Sequence, residues 1–108
     1  MDETRALAGF AVLSEPTRLR ILKALVVAGP DGMRAGDIGT AVGASPSRAS
    51  FHLSSMSDSG LIRARRQARH VIYDVDFAHI GALLSYVLHD CCRGNAVVGT
   101  CCAPKTTD

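Results

Sequence analysis

Residues 45–56 read Ser45-Pro46-Ser47-Arg48-Ala49-Ser50-Phe51-His52-Leu53-Ser54-Ser55-Met56, and the rest of the chain is organised around them. Ser45 can accept a backbone N–H at a helix start, and Pro46 at the first helical position has no amide hydrogen to leave unsatisfied. At 100° per residue, Ala49, Leu53 and Met56 fall on one stripe, and Ser47, Phe51, Ser54 and Ser55 fall opposite, with Arg48 on the flank. An apolar back and a front of short hydroxyls suit close approach to a polar, anionic surface, because serine bonds to bases or phosphates with little rotamer entropy to lose. This is the composition of a DNA recognition helix. It is also that of an ordinary solvated helix, so its neighbours must decide.

Upstream, residues 5–13 have helical apolar spacing (Leu7, Phe10, Ala11) over a length that needs a packing partner. A second helix follows, with Ser14 as its expected cap, Pro16 in its first turn, and Leu19, Leu22 and Val26 as its expected buried stripe. Gly29-Pro30-Asp31-Gly32 is a stop and turn. Residues 34–42 give a short helix on Ile38, Ala41 and Val42, ended by Gly43. A short helix, a tight Gly43-Ala44-Ser45 turn and a capped second helix form a helix-turn-helix.

Downstream, Leu61–Arg66 and His70–Val75 read as two strands around a Gln67-Ala68 turn, with β-branched and aromatic residues in the second. A basic hairpin directly after a helix-turn-helix is the wing of a winged helix, placed to touch flanking backbone or minor groove. From Asp76 onward Phe77, Ile80, Leu84, Val87 and Cys91 recur in steps of three and four, the seam of a helix that pairs with another. The expected fold is therefore mainly α with a β-hairpin: four helices, two strands and a fifth helix, dimerising through the terminal helices. Residues 1–94 would form the domain and 95–108 a flexible cysteine-bearing tail. Candidate DNA contacts are Ser45, Ser47, Arg48, Ser50, Phe51 and His52 on the helix, with Arg63, Arg65, Arg66 and Arg69 on the wing. Candidate interface residues are Phe77, Ile80, Leu84 and Val87.

The net charge of the 108 residues is only +2. Between Ser45 and His70, however, five arginines stand against Asp58 alone, which leaves the remainder net acidic and concentrates the positive field where nucleic acid would lie. No signal-peptide pattern and no apolar span of bilayer length occurs, so a cytoplasmic protein without membrane contact is expected.

Leu13 to Leu22, the Ser50-Phe51-His52-Leu53 core of the reading helix, Gly60-Leu61-Ile62 and the arginine-rich hairpin ending in Val71-Ile72-Tyr73 resemble the ArsR/SmtB family of metal-responsive winged-helix repressors, over most of residues 6–90. The resemblance implies a homodimer that binds double-stranded operator DNA and blocks a resistance operon until a metal or metalloid weakens its grip. Two of the family's sensing sites lack their residues here. Where founding arsenic sensors carry Cys-x-Cys-Asp-Leu, this chain reads Arg34-Ala35-Gly36-Asp37-Ile38. Where zinc sensors place an acid and a His at each end of the last helix, Asp76 and His89 are present, but Ala78 and Cys92 occupy the other two places. Phe51 stands where a basic or polar residue is usual.

All four cysteines (Cys91, Cys92, Cys101 and Cys102) lie after residue 90. In a reducing compartment this placement points to thiolate chemistry rather than disulfides. Soft thiolates select thiophilic ions, and trivalent arsenic or antimony is satisfied by three sulfurs. Cys91 would continue the seam, Cys92 would turn about 100° away, and Cys101-Cys102 of one tail could meet Cys91 of the partner. The expected inducer is thus As(III) or Sb(III) on Cys91, Cys101 and Cys102. The alternatives are an intrachain site with Cys91 and Cys92, a four-thiolate zinc site or a redox switch. An enzyme is not expected, since a thiol catalyst such as a metalloid reductase would need an anion loop beside its cysteine. A metallochaperone would leave the basic helix and wing without a role.

Overall fold

The computed structural model describes residues 1–102, with Cys102 described by its backbone alone. Helices α1 (Glu3–Leu13) and α2 (Pro16–Ala28) lead through a single 3-10 turn (Gly29–Asp31) into strand β1 (Met33–Arg34). Then come α3 (Ala35–Val42), α4 (Pro46–Asp58), β2 (Ile62–Gln67), β3 (His70–Val75) and α5 (Phe77–Ser85). A wide, π-helical turn (Tyr86–Cys91) and α6 (Ala96–Cys102) complete the chain. The strands form one antiparallel sheet in the order β1-β3-β2. Ile21 and Leu25 of α2, Ile38 of α3, Leu53 and Met56 of α4, Ile62 and Val75 of the sheet and Leu83 of α5 meet in one core, each nearly or fully withdrawn from solvent. This is the expected winged helix-turn-helix, with an added edge strand and an added last helix.

Two prolines set the helix starts. A residue before proline is forced out of the α region, so Ser45 (φ −63°, ψ 158°) is extended and its hydroxyl accepts from the Arg48 amide, as expected. The same rule moves the cap of α2 from Ser14 to Glu15, which is extended before Pro16 and accepts from the Arg18 amide at 2.9 Å. Ser14 instead closes α1, donating to Ala11 O. The buried stripe of α2 is also corrected. Thr17, Ile21 and Leu25 face the core and Leu22 packs at its edge as expected, while Leu19 and Val26 stand about half exposed. Apolar residues surround most of this helix, so period alone did not select the face; its packing on α3, α4 and β3 did.

The Arg18 amide, and to a lesser degree the charge of His52, hold the Glu15 carboxyl below its ordinary pKa of 4.5. A carboxyl whose pKa is depressed on folding contributes stability above its unfolded pKa and loses it as pH falls through the folded value. Urea midpoints measured from pH 7 to pH 3 should therefore fall on the acid side, and less steeply in Glu15→Gln than in the parent.

The wing turns one residue later than expected. Gln67 pairs with His70, so Ala68 (φ 55°) and Arg69 make the turn. The expected loose tail begins instead with α6, whose first amides, of Val97 and Val98, donate to the Asn95 side chain.

Candidate nucleic-acid interface

Helix α4 divides as its sequence requires. Ala49, Leu53 and Met56 are buried, and Ser47, Arg48, Ser50, Phe51 and Ser54 are exposed. The back of the helix is seated on α3 through Gly39, where a Cβ would lie 3.1 Å from Ala44 O and 3.4 Å from Ala49 Cβ. That close contact fixes the angle at which the serine face projects. Ser45 is exposed and serves as the cap.

His52 is corrected. It is 6% exposed, and its Nδ1 accepts from Arg18 Nε at 3.2 Å, with the Glu15 carboxylate 3.9 Å from the same nitrogen. A side chain so placed cannot reach phosphate; it fastens the reading helix to the first turn of α2. The Ser-Phe-His-Leu string gave no signal of this, because the partners lie more than thirty positions upstream.

The wing arginines separate by face. Arg63 and Arg65 point to the same side as Asp74, which is buried and accepts from Arg63 Nε at 3.1 Å and Arg65 Nε at 3.4 Å. Arg65 also donates through Nη1 to Gln67 and through Nη2 to the carbonyls of Pro30 and Asp31. With four N–H bonds made inside the protein, Arg65 braces the wing against the turn before β1 while its side chain stays 42% exposed. Arg66 and Arg69 are exposed and, like Arg48, form no ion pair among the described residues.

Two residues outside the expected set join this surface. Arg34 Nη1 lies 3.2 Å from His70 Nε2. Together with Arg69, Val71 and the first turn of α3 they line a cleft of about 470 Å3 between wing and helix-turn-helix. An adjoining groove lined by Ala35, Gly36, Gly39, Thr40, Ala44, Pro46 and Ser50 continues it to the start of α4. Arg34 was missed because its place depends on β1, which at two residues is too short to show a strand pattern.

At the other end of the molecule α1 meets α5 where Gly9 packs on Leu83. Beside that contact Leu7 and Phe10 of α1 and Phe77 and Leu84 of α5 are exposed, and Ile80 and Val87 are half-buried. The seam does not run on to Cys91. In the wide turn the Cys92 amide donates to Val87 O, five residues back. The extra residue in this turn rotates the positions after it by about 100°, leaving Cys91 exposed and Cys92 half-buried. Arg93 (φ 52°) and Gly94 (φ 69°) then reverse the chain, and α6 returns so that Gly99 faces Leu88. Cys101 is exposed, and the Cys102 side chain lies outside the described residues. Burial raises the pKa of Tyr86, and negative charge at Cys91, Glu3, Asp90 and Asp2 adds to it. Among the described residues no three His, Cys, Asp or Glu side chains converge. Asp76 is used as the cap of α5, accepting from the His79 amide at 3.1 Å. No described helix is long and apolar enough to cross a membrane.

A recognition helix seated on a second helix and flanked by a braced basic hairpin defines a winged helix-turn-helix DNA-binding protein. Residues 13–65 match a helix-turn-helix domain family. The chain is 33% identical over 81 residues to the HTH-type transcriptional regulator YgaV of Escherichia coli, covering 75% of this chain and 80% of that one. Its fold is that of an ArsR-like transcriptional regulator from Rhodococcus sp. RHA1 (TM-score 0.74, 20% identity, 91% and 90% of the two chains). It is also that of a homodimeric winged helix-turn-helix DNA-binding domain from Mycobacterium bovis (TM-score 0.62, 24% identity, 81% and 84% covered). The chain belongs to the family of HTH-type transcriptional regulators.

Proposed function

We propose that this chain is a repressor that binds a twofold-symmetric operator as a homodimer and is released when As(III) or Sb(III) binds its C-terminal thiolates. The observation that carries the DNA half is α4, whose serine face with Arg48 and Phe51 is exposed while its opposite face is locked into the core. Docked in this way, α4 enters the major groove, and Arg66, Arg69 and Arg34 meet flanking phosphates. Two subunits joined on α1 and α5 set two such helices about 34 Å apart, one turn of DNA. The homodimeric state of the Mycobacterium bovis domain supports the pairing.

The metalloid half rests on the confinement of all four cysteines to residues 91–102, on a reversed segment beside the proposed seam. Three sulfurs of one chain do not converge among the described side chains. A three-thiolate set in this conformation therefore draws on Cys102 or on the partner subunit. A ligand drives release only as far as it prefers the subunit spacing that fits DNA poorly.

Arg48→Ala and Arg69→Ala should each weaken binding of a fluorescent operator duplex across sequences and lower the slope of log K against log salt by up to about 0.9 for each phosphate no longer neutralised. Arsenite should release the duplex. Cys101→Ser and Cys102→Ser should bind DNA as the parent does and resist release. Release by arsenite in a variant with all four cysteines changed, or release of the parent by zinc or peroxide but not by arsenite, would overturn the metalloid reading. Parental affinity and salt slope in both arginine variants would overturn the reading face.

A further inference from the structure

Phe51 is 64% exposed at the centre of the outward face of α4. Its neighbours there, Ser47, Ser54 and Ser55, are short, so the ring stands clear of them, with Arg48 on the flank. It meets the ring of His52 edge-on, with centroids 5.6 Å apart at 69°, and His52 is itself fixed by Arg18. The ring is thus supported from behind and free in front.

No other large apolar side chain of α4 is exposed, so on this helix Phe51 is a single apolar group rather than a patch of the size a protein partner needs. A phenyl ring has no donor or acceptor with which to read the hydrogen-bonding edge of a base. In the major groove the one apolar group a base pair presents is the C5 methyl of thymine. Insertion between base steps belongs to the minor groove, which at about 6 Å is too narrow for a helix about 10 Å across. We infer that Phe51 reads a thymine methyl in each half-site of the operator. The inference rests on the proposed docking of α4 in the major groove and adds a base identity to it.

The test begins by selecting tight-binding duplexes from a random pool with the full chain. Each thymine of the selected site is then replaced, one at a time, by deoxyuridine, which differs only by the methyl. One thymine per half-site should stand out, with affinity falling about fourfold on loss of its methyl. At that position 5-methylcytosine should bind more tightly than cytosine. Phe51→Ala, a change at an exposed position whose folding is checked by circular dichroism, should bind the thymine and deoxyuridine duplexes equally. Affinity independent of every methyl, or a methyl effect unchanged in Phe51→Ala, would overturn the inference while leaving DNA binding intact. Failure of the parent chain to retain any duplex would instead overturn the docking itself.

Discussion

Leu84→Glu is expected to leave the chain folded and monomeric, and to lower operator affinity at least a hundredfold. Leu84 is 52% exposed, whereas its neighbour Leu83, 2% exposed, is the residue that ties α5 to the core. The substitution therefore spares the fold of the single subunit. In the proposed dimer, position 84 of each subunit lies on the seam with Phe77 and Ile80, all three within an arc of about 60° on α5. Two carboxylates placed among those apolar side chains would be desolvated, at a cost of several kcal/mol. A monomer engages one half-site and loses the gain from tethered binding, which amounts to about 10²–10⁴. Sedimentation velocity at micromolar concentration, far-ultraviolet circular dichroism and the duplex titration give the three readings. A folded, undissociated dimer would place the subunit contact elsewhere on the molecule.

Gly32→Ala should lower stability by about 3 kcal/mol, the sum of an unfavourable backbone conformation and a steric clash. Gly32 has φ +70°, and a Cβ there would lie 2.5 Å from Tyr73 O and 2.6 Å from Ile72 Cγ2. The carbonyl belongs to the residue that pairs with Met33, so relief requires β1 to move off β3. Gly29 supplies the control. It has φ +72° and nothing within 4 Å of its absent Cβ, so Gly29→Ala carries the conformational cost of about 1–2 kcal/mol alone. For a domain of this size each kcal/mol is about 4–8 °C in Tm, and calorimetry should place Gly32→Ala well below Gly29→Ala. Equal melting temperatures would mean that the β1 edge is not held as described.

The parts of the fold that were legible in the sequence are those where a local rule and the tertiary structure agree. Ser45-Pro46 marked α4 to the residue, and its three-residue apolar stripe identified the back of the helix. The same proline rule, not applied at Glu15-Pro16, would have placed the cap of α2. Where the deciding contact is distant in the chain, the sequence was silent. The Asp74 and Pro30–Asp31 partners that hold Arg65 to the wing's base, and the Arg18 and Glu15 partners that withdraw His52, leave no mark on the residues beside them. A count of arginines therefore overstated the free positive charge of the wing and overlooked Arg34. Five-residue hydrogen bonding after Ser85 has no compositional signature either, which is why an uninterrupted helix carried the seam as far as Cys91.

That wide turn governs how the two halves of the molecule relate. The part up to Val75 is fixed by core packing, caps and the brace on the wing, and of the residues in the wide turn only Tyr86 packs against that core. The cysteines, by contrast, are attached through a turn holding one residue more than a helix needs, followed by two residues of left-handed backbone. Their angular phase about the α5 axis is set by that single surplus residue. Gaining or losing it would rotate the thiols about the α5 axis by about 100° while leaving the winged helix-turn-helix untouched. The linkage thus behaves as an indexed coupling between a constant winged helix-turn-helix and an adjustable cysteine-bearing end.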